Sequence, residues 1–199
     1  MNESAAVRPF FLLFLLVALL GGCQRDPGAP PLAGATMGGP FTLSGSNGRR
    51  VSDREFAGKY RLVYFGYSFC PDVCPVDLQV VGAGLRQFEQ SDSSRAAKVQ
   101  PIFITVDPRR DTPDVLRRYV SAFHPRLIGL SGSEAEIAQV ARAYGVYYTH
   151  EQPTQPGGEY LVNHSRMIVL YGPQGEPIAI VPHDQGPAAV AAELDRWVR

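Results

Sequence analysis

The chain has 199 residues and a mass of 21.7 kDa, enough for one domain with its own core and a short accessory segment, and too little for two large domains. With 19 basic and 19 acidic residues there is no net field to gather a polyanion, which disfavours nucleic acid as a partner. Three cysteines are too few for a disulfide-stapled scaffold, and their placement, one at 23 and two at 70 and 74, points to separate duties.

Residues 10–20 read FFLLFLLVALL, behind Arg8 and ahead of Gly21, Gly22 and Cys23. Such a run gives about 16 Å of helix against roughly 30 Å of hydrocarbon, so 1–22 reads as a signal peptide rather than a permanent span. Leu20-Gly21-Gly22-Cys23 resembles a bacterial lipobox. That would make Cys23 the lipid-bearing first residue of a membrane-anchored lipoprotein on the periplasmic or extracytoplasmic side of the envelope; an ordinary signal with an incidental cysteine is the alternative. Processing would remove one acid and one base, Glu3 and Arg8, so the neutrality persists. Between Pro27 and Pro40, eight of fourteen residues are Gly or Pro. Residues 23–39 are therefore expected to form a flexible tether, because they bury too little apolar surface to offset the entropy of ordering. The folded domain is expected over 40–199.

Phe41-Thr42-Leu43, the turn cluster 44–48 and Val51 predict a short N-terminal hairpin, and Ser52 can cap a helical turn containing Phe56. The apolar run 62–67 suits a central strand covered on both faces. After a turn at 68–71, Leu78, Val81, Leu85 and Phe88 repeat at helical spacing in a helix that begins near Val73. A second strand covers 99–106. Thr112-Pro113 opens a helix carrying Leu116, Tyr119, Val120 and Phe123, which Pro125 ends. A strand at 127–130 leads to a helix capped by Ser133, with Ile137, Val140, Ala141 and Tyr144 as its buried stripe. Strands at 167–171 and 178–181, joined by a tight turn, precede a last helix presenting Val190, Leu194, Trp197 and Val198. Strands alternating with helices imply an α/β fold with a mixed, mainly parallel central sheet flanked by helices, and the closing strand pair implies an antiparallel edge. The order β-α-β-α-β-α-β-β-α, with cysteines at the end of the first long strand, is a thioredoxin-like arrangement with insertions. Gly82-Ala83-Gly84 lies inside a helix and carries no weight as a nucleotide fingerprint.

Cys70 sits at the strand-to-helix turn and Cys74 in the first helical turn, where the helix dipole favours thiolate over thiol. Three residues between the cysteines widen the loop relative to Cys-x-x-Cys and let both sulfurs face one ion, while a disulfide stays geometrically open. Two soft thiolates select Cu(I), and an imidazole suits copper in either oxidation state, so a dithiolate with one histidine would make a copper site; zinc more often takes four ligands.

Three blocks carry a family resemblance: Tyr64-Phe65-Gly66-Tyr67-Ser68-Phe69-Cys70-Pro71-Asp72-Val73-Cys74-Pro75, then Phe103-Ile104-Thr105-Val106-Asp107-Pro108-Arg109-Arg110-Asp111-Thr112-Pro113, then His164-Ser165. From about Phe41 to the C-terminus the chain resembles the Sco/SenC copper proteins. The resemblance implies a membrane-tethered thioredoxin-like metallochaperone that binds Cu(I) or Cu(II) through Cys70, Cys74 and His164. Its implied partner is the copper-binding subunit of cytochrome c oxidase, whose copper A site it would load, with other copper chaperones as further partners; a combined role, reducing the acceptor cysteines before loading them, is compatible with the same residues. The family usually places Asp directly before the histidine, where this chain has Asn163, which keeps a hydrogen-bonding group and removes a charge. Asp72 and Asp107 are candidates for lining the site or meeting a partner, and for Asp107 the plainer reading is hydrogen bonding within the 107–113 turn. The alternative function is a thiol–disulfide oxidoreductase using Cys70 and Cys74 alone. His124 reads as a helix cap and His150 and His183 as solvent-facing. Met37 belongs to the tether and Met167 to a strand, and Arg109, Arg110, Arg117 and Arg118 read as a solvated basic face.

Overall fold

Seven consecutive buried residues, Tyr60–Gly66, form the strand around which the domain is built. In a computed structural model of the chain, which describes residues 28–152 and 159–199, this is the third strand in order. The strands are β1 (Thr42–Gly45), β2 (Arg50–Ser52), β3 (Tyr60–Gly66), β4 (Val99–Thr105), β5 (Ile128–Ser131), β6 (Tyr148–His150), β7 (Val162–His164), β8 (Ile168–Tyr171) and β9 (Pro177–Ile180). The α-helices are α1 (Val73–Ser91), α2 (Ser93–Ala96), α3 (Pro113–Ser121), α4 (Glu134–Ala143) and α5 (Pro187–Trp197), with single 3₁₀ turns at Asp53–Phe56 and His183–Gln185. The main sheet runs β2-β1-β5-β4-β3-β8-β9. It is mixed, as expected, and its parallel part is the central trio β3, β4 and β5. The N-terminal hairpin joins β5 antiparallel, with Ser44 opposite Ser131, so antiparallel strands flank the centre on both sides.

Local signals behave as their chemistry dictates. Ser52 and Ser133 each form a capping box with the glutamate three residues on, and the Thr112 hydroxyl accepts the Val115 N–H ahead of Pro113. Arg50 and the Ser133 cap hold Glu136 at a pKa of about 2 and tie the hairpin to α4. Helix α3 stops at Ser121, short of Pro125: its end tightens into i+3 bonds, and Arg86 takes the Phe123 carbonyl at 2.6 Å.

The glycines at 82 and 84 serve packing. A Cβ at Gly84 would lie 2.6 Å from Val190 Cβ and 2.8 Å from the Pro187 carbonyl, so α1 and α5 meet at bare backbone. Glycine to alanine in a helix ordinarily gains about 1 kcal/mol. Here the overlap should outweigh that, and Gly84→Ala is expected to lose roughly 1–3 kcal/mol in urea unfolding; a stabilised variant would contradict the close approach.

His124 is not a helix cap. It is 2% exposed, its Nδ1 accepts the Arg126 N–H at 3.2 Å, and Nε2 faces the Glu89 carboxylate at 3.4 Å. Burial pushes its pKa below the ordinary value despite Glu89. The unfolded chain thus binds a proton that the folded one refuses, and stability is expected to fall as pH drops through about 6.5. Unfolding curves at pH 7.5 and 5.5 should show this loss, and His124→Gln should reduce it; an unchanged slope would remove His124 as the cause.

The described part of the proposed tether, 28–39, lies against the domain. Leu32 N–H reaches the Ile178 carbonyl at 3.0 Å, Gly38 N–H the Ala143 carbonyl at 2.8 Å, and Tyr144 Oη the Gly39 carbonyl at 3.0 Å. Leu32 and Met37, its two large apolar side chains, pack on the core. Cys23 and the expected signal peptide, 1–22, lie outside the described residues, and among the described residues no helix is long and apolar enough to cross a membrane.

Candidate metal centre

Strands β3 and β4 end side by side, and the segments beyond their carboxyl ends build a site, the usual place in an open α/β sheet. The 67–72 turn carries Cys70, and α1 brings Cys74 in its first turn. Asp111 braces the turn from the β4 side, accepting the Ser68 N–H at 3.1 Å, the Ser68 hydroxyl, and the Thr105 hydroxyl at 2.5 Å. Burial raises the Asp111 pKa against these bonds. Gly66 leaves room for the sulfur, since a Cβ there would sit 3.0 Å from Cys74 Sγ.

His164 arrives from β7, which among the described residues pairs only with β6, in a separate two-stranded sheet. Nothing in the periodicity announces this hairpin: its strands are three residues each, and only Val162 is fully buried. One ligand atom each from Cys70, Cys74 and His164 lie within 4.8 Å of one another. His164 Nε2 is 3.0 Å from Cys74 Sγ, and the Cys74 N–H donates to Cys70 Sγ at 3.4 Å. Nδ1 lies 3.0 Å from the Ser165 carbonyl, which can only accept, so Nδ1 carries the proton and Nε2 offers its lone pair to the sulfurs. Burial lowers the His164 pKa and favours that neutral ring. Burial also pushes the Cys74 thiol well above the ordinary range, so the helix dipole expected to favour thiolate is outweighed there. A cation between the sulfurs would reverse the balance. Two soft sulfurs and an unprotonated imidazole nitrogen fit copper.

Several neighbours join the site that sequence patterns alone do not single out. Tyr64 and Tyr67 place their rings edge-on to His164, each with centroids 6.0 Å away. The Tyr64 hydroxyl donates to Asp77 at 2.9 Å, and Tyr67 Oη accepts the Val162 N–H at 3.2 Å. Asp77, 2% exposed and one helical turn after Cys74, also receives Arg166 at 2.6 Å. His183, expected to face solvent, is instead largely buried, with Nε2 3.5 Å from Asp77. The available signal for Asp77 was a charge on the apolar stripe of α1.

The remaining candidates lie apart from the sulfurs. Asp72 is exposed and makes no capping bond. Asp107 is fully buried and accepts Arg110 Nε and, at 2.7 Å, the Tyr160 hydroxyl. Asn163 points away from His164, as strand alternation requires, and donates to Glu151 at 2.7 Å, a bond that an aspartate could not make. Arg110 is not on a solvated face, since only 17% of its side chain is exposed, whereas Arg109 and Arg117 pair with Glu134 and Asp114 at the surface. His150 is exposed on β6.

The fold has counterparts among known proteins. The mitochondrial SCO1 homolog of Homo sapiens is 37% identical over 177 residues, covering 88% of this chain and 56% of that protein; the chain spans about half the length of the curated relatives it matches. Bradyrhizobium japonicum ScoI with copper bound superposes with a TM-score of 0.72 at 40% identity, covering 81% of this chain and 99% of that one. The thioredoxin domain of a thiol-disulfide oxidoreductase from Bacteroides vulgatus, at 16% identity, covers 81% of this chain and 94% of its own with a TM-score of 0.55, which identifies the fold as thioredoxin-like. Residues 29–199 match the SCO1/SenC family along their whole length. With the cysteine pair and the distant histidine in one cluster on this fold, the chain belongs to the SCO1/SenC family.

Proposed function

We propose that this protein is a copper metallochaperone that holds its cargo through Cys70, Cys74 and His164 and passes it to the copper A site of cytochrome c oxidase. The carrying observation is the convergence of two thiols and an unprotonated imidazole nitrogen within 4.8 Å, and the copper-bound relative at 40% identity supports it. Three ligands leave the ion open to an incoming thiolate or thioether, so transfer proceeds by ligand exchange without release of free copper. A lipid on Cys23 would hold the domain at the extracytoplasmic face of a membrane.

Reduction of the acceptor's cysteines before loading is a second reading of the same pair. It is favoured by Cys70, at the rim of the site and four residues from a second free thiol. His164 separates the two. X-ray absorption on the Cu(I)-loaded, anaerobically reduced protein is expected to show two sulfurs and one nitrogen. In His164→Ala the nitrogen should vanish and affinity fall, while dithiol exchange keeps most of its rate; equal loss of both activities would contradict the division.

A further inference from the structure

We propose that Asp107, Arg110 and Tyr160 form a clamp that seats the histidine-bearing hairpin on the cysteine turn, making Arg110 a positioning residue for His164. The hairpin β6–β7 pairs with no strand of the main sheet, so its seat depends on side chains. Besides the contacts of His164 itself with Cys74, Tyr64 and Tyr67, two attachments among the described residues join it to the segments around the cysteines. One is the bond from Val162 N–H to Tyr67 Oη at 3.2 Å. The other is centred on Arg110, whose guanidinium carbon lies 3.7 Å from the centroid of the Tyr160 ring, 5.0 Å from that of Phe69 and 5.6 Å from that of Tyr67.

The guanidinium is thus shared between Tyr160, which leads into β7, and the two aromatic residues that flank Ser68 in the cysteine turn. Asp107 fixes the arrangement from beneath. Its two carboxylate oxygens, fully buried, take Arg110 Nε and the Tyr160 hydroxyl separately, so one rigid anion orients both partners. A planar cation suits this place and an ammonium does not, because a flat guanidinium can lie against several aromatic rings while donating in its own plane to the carboxylate.

The first readout needs no metal. Amide exchange at Val162 reports the hairpin leaving Tyr67, and in full-length Arg110→Ala it is expected to quicken about tenfold or more, with the amides of β3 unchanged. Arg110→Lys keeps the charge beside Asp107 without the flat face, and is expected to fall close to the alanine variant; full rescue by lysine would overturn the stacking role. Val162 exchange within twofold of wild type in folded Arg110→Ala would overturn the clamp. If that variant does not fold, Tyr160→Leu replaces it, and the same quickening or its absence at Val162 decides the matter.

The second readout rests on the proposed copper function. X-ray absorption of Cu(I)-loaded Arg110→Ala should retain two sulfurs and lose most of the nitrogen, and an undiminished nitrogen would count against the clamp. If wild-type protein bound no copper, that function would fail and Val162 exchange would still decide the clamp.

Discussion

Cys74→Ser is expected to abolish tight copper binding while leaving the fold in place. The sulfur is fully buried, and its thiol faces His164 Nε2 at 3.0 Å, a bond that a serine hydroxyl can also donate. Serine is smaller and hydrogen-bonds at least as well, so the native packing has little reason to change. What disappears is chemistry: a hydroxyl stays protonated where a thiol yields its proton to a soft cation, and hard oxygen is a poor ligand for Cu(I). Loss of a group that only orients a ligand typically costs about 10–100-fold in metal affinity. Loss of a ligand should exceed that, so competition against a chromophoric Cu(I) chelator is expected to show at least about 100-fold weaker binding. Cys70→Ser should behave alike. Stoichiometric copper retained by either variant at wild-type affinity would rule out the dithiolate site.

Features encoded locally were legible, and those depending on distant segments were not. The capping boxes at Ser52 and Ser133, the Thr112-Pro113 start and the all-buried β3 each declare themselves within a few residues. The cysteine pair belongs to that class, because a strand end and a helix start place it without help. His164 does not. Its strand has three residues, and its position follows from Tyr67, Arg110 and Asp107, between 54 and 97 residues earlier in the chain. Family resemblance supplied that residue where periodicity could not. Arg110 shows the same limit from the other side. In sequence it belongs to a run of basic residues, and only the buried carboxylate of Asp107, with three aromatic rings around it, removes it from the solvated face. The meaning of Asn163 also changes with structure. Alternation turns its side chain away from the sulfurs and onto Glu151, so the missing charge faces solvent rather than the ion.

Asp77→Ala is expected to cost the most stability of any single change around the site. Asp77 is 2% exposed and accepts from the Tyr64 hydroxyl at 2.9 Å and from Arg166 at 3.1 and 2.6 Å. Removing one member of a buried charge pair costs about 3–5 kcal/mol when the survivor stays buried. Arg166 is half exposed and can rehydrate, so the larger part of that penalty does not apply. Tyr64 has no such escape: its fully buried hydroxyl would lose the carboxylate, at about 1–3 kcal/mol. A small cavity would add to this. The sum is about 3 kcal/mol, measurable as a lower urea midpoint at unchanged m. Asp77→Asn keeps an acceptor for Tyr64 and gives up the ion pair, and should lose about half as much. The ordering separates the two contributions. If asparagine proves as costly as alanine, the charge facing Arg166 dominates. If alanine falls within about 1 kcal/mol of wild type, Tyr64 has found another acceptor and the buried carboxylate does not hold this side of the site together.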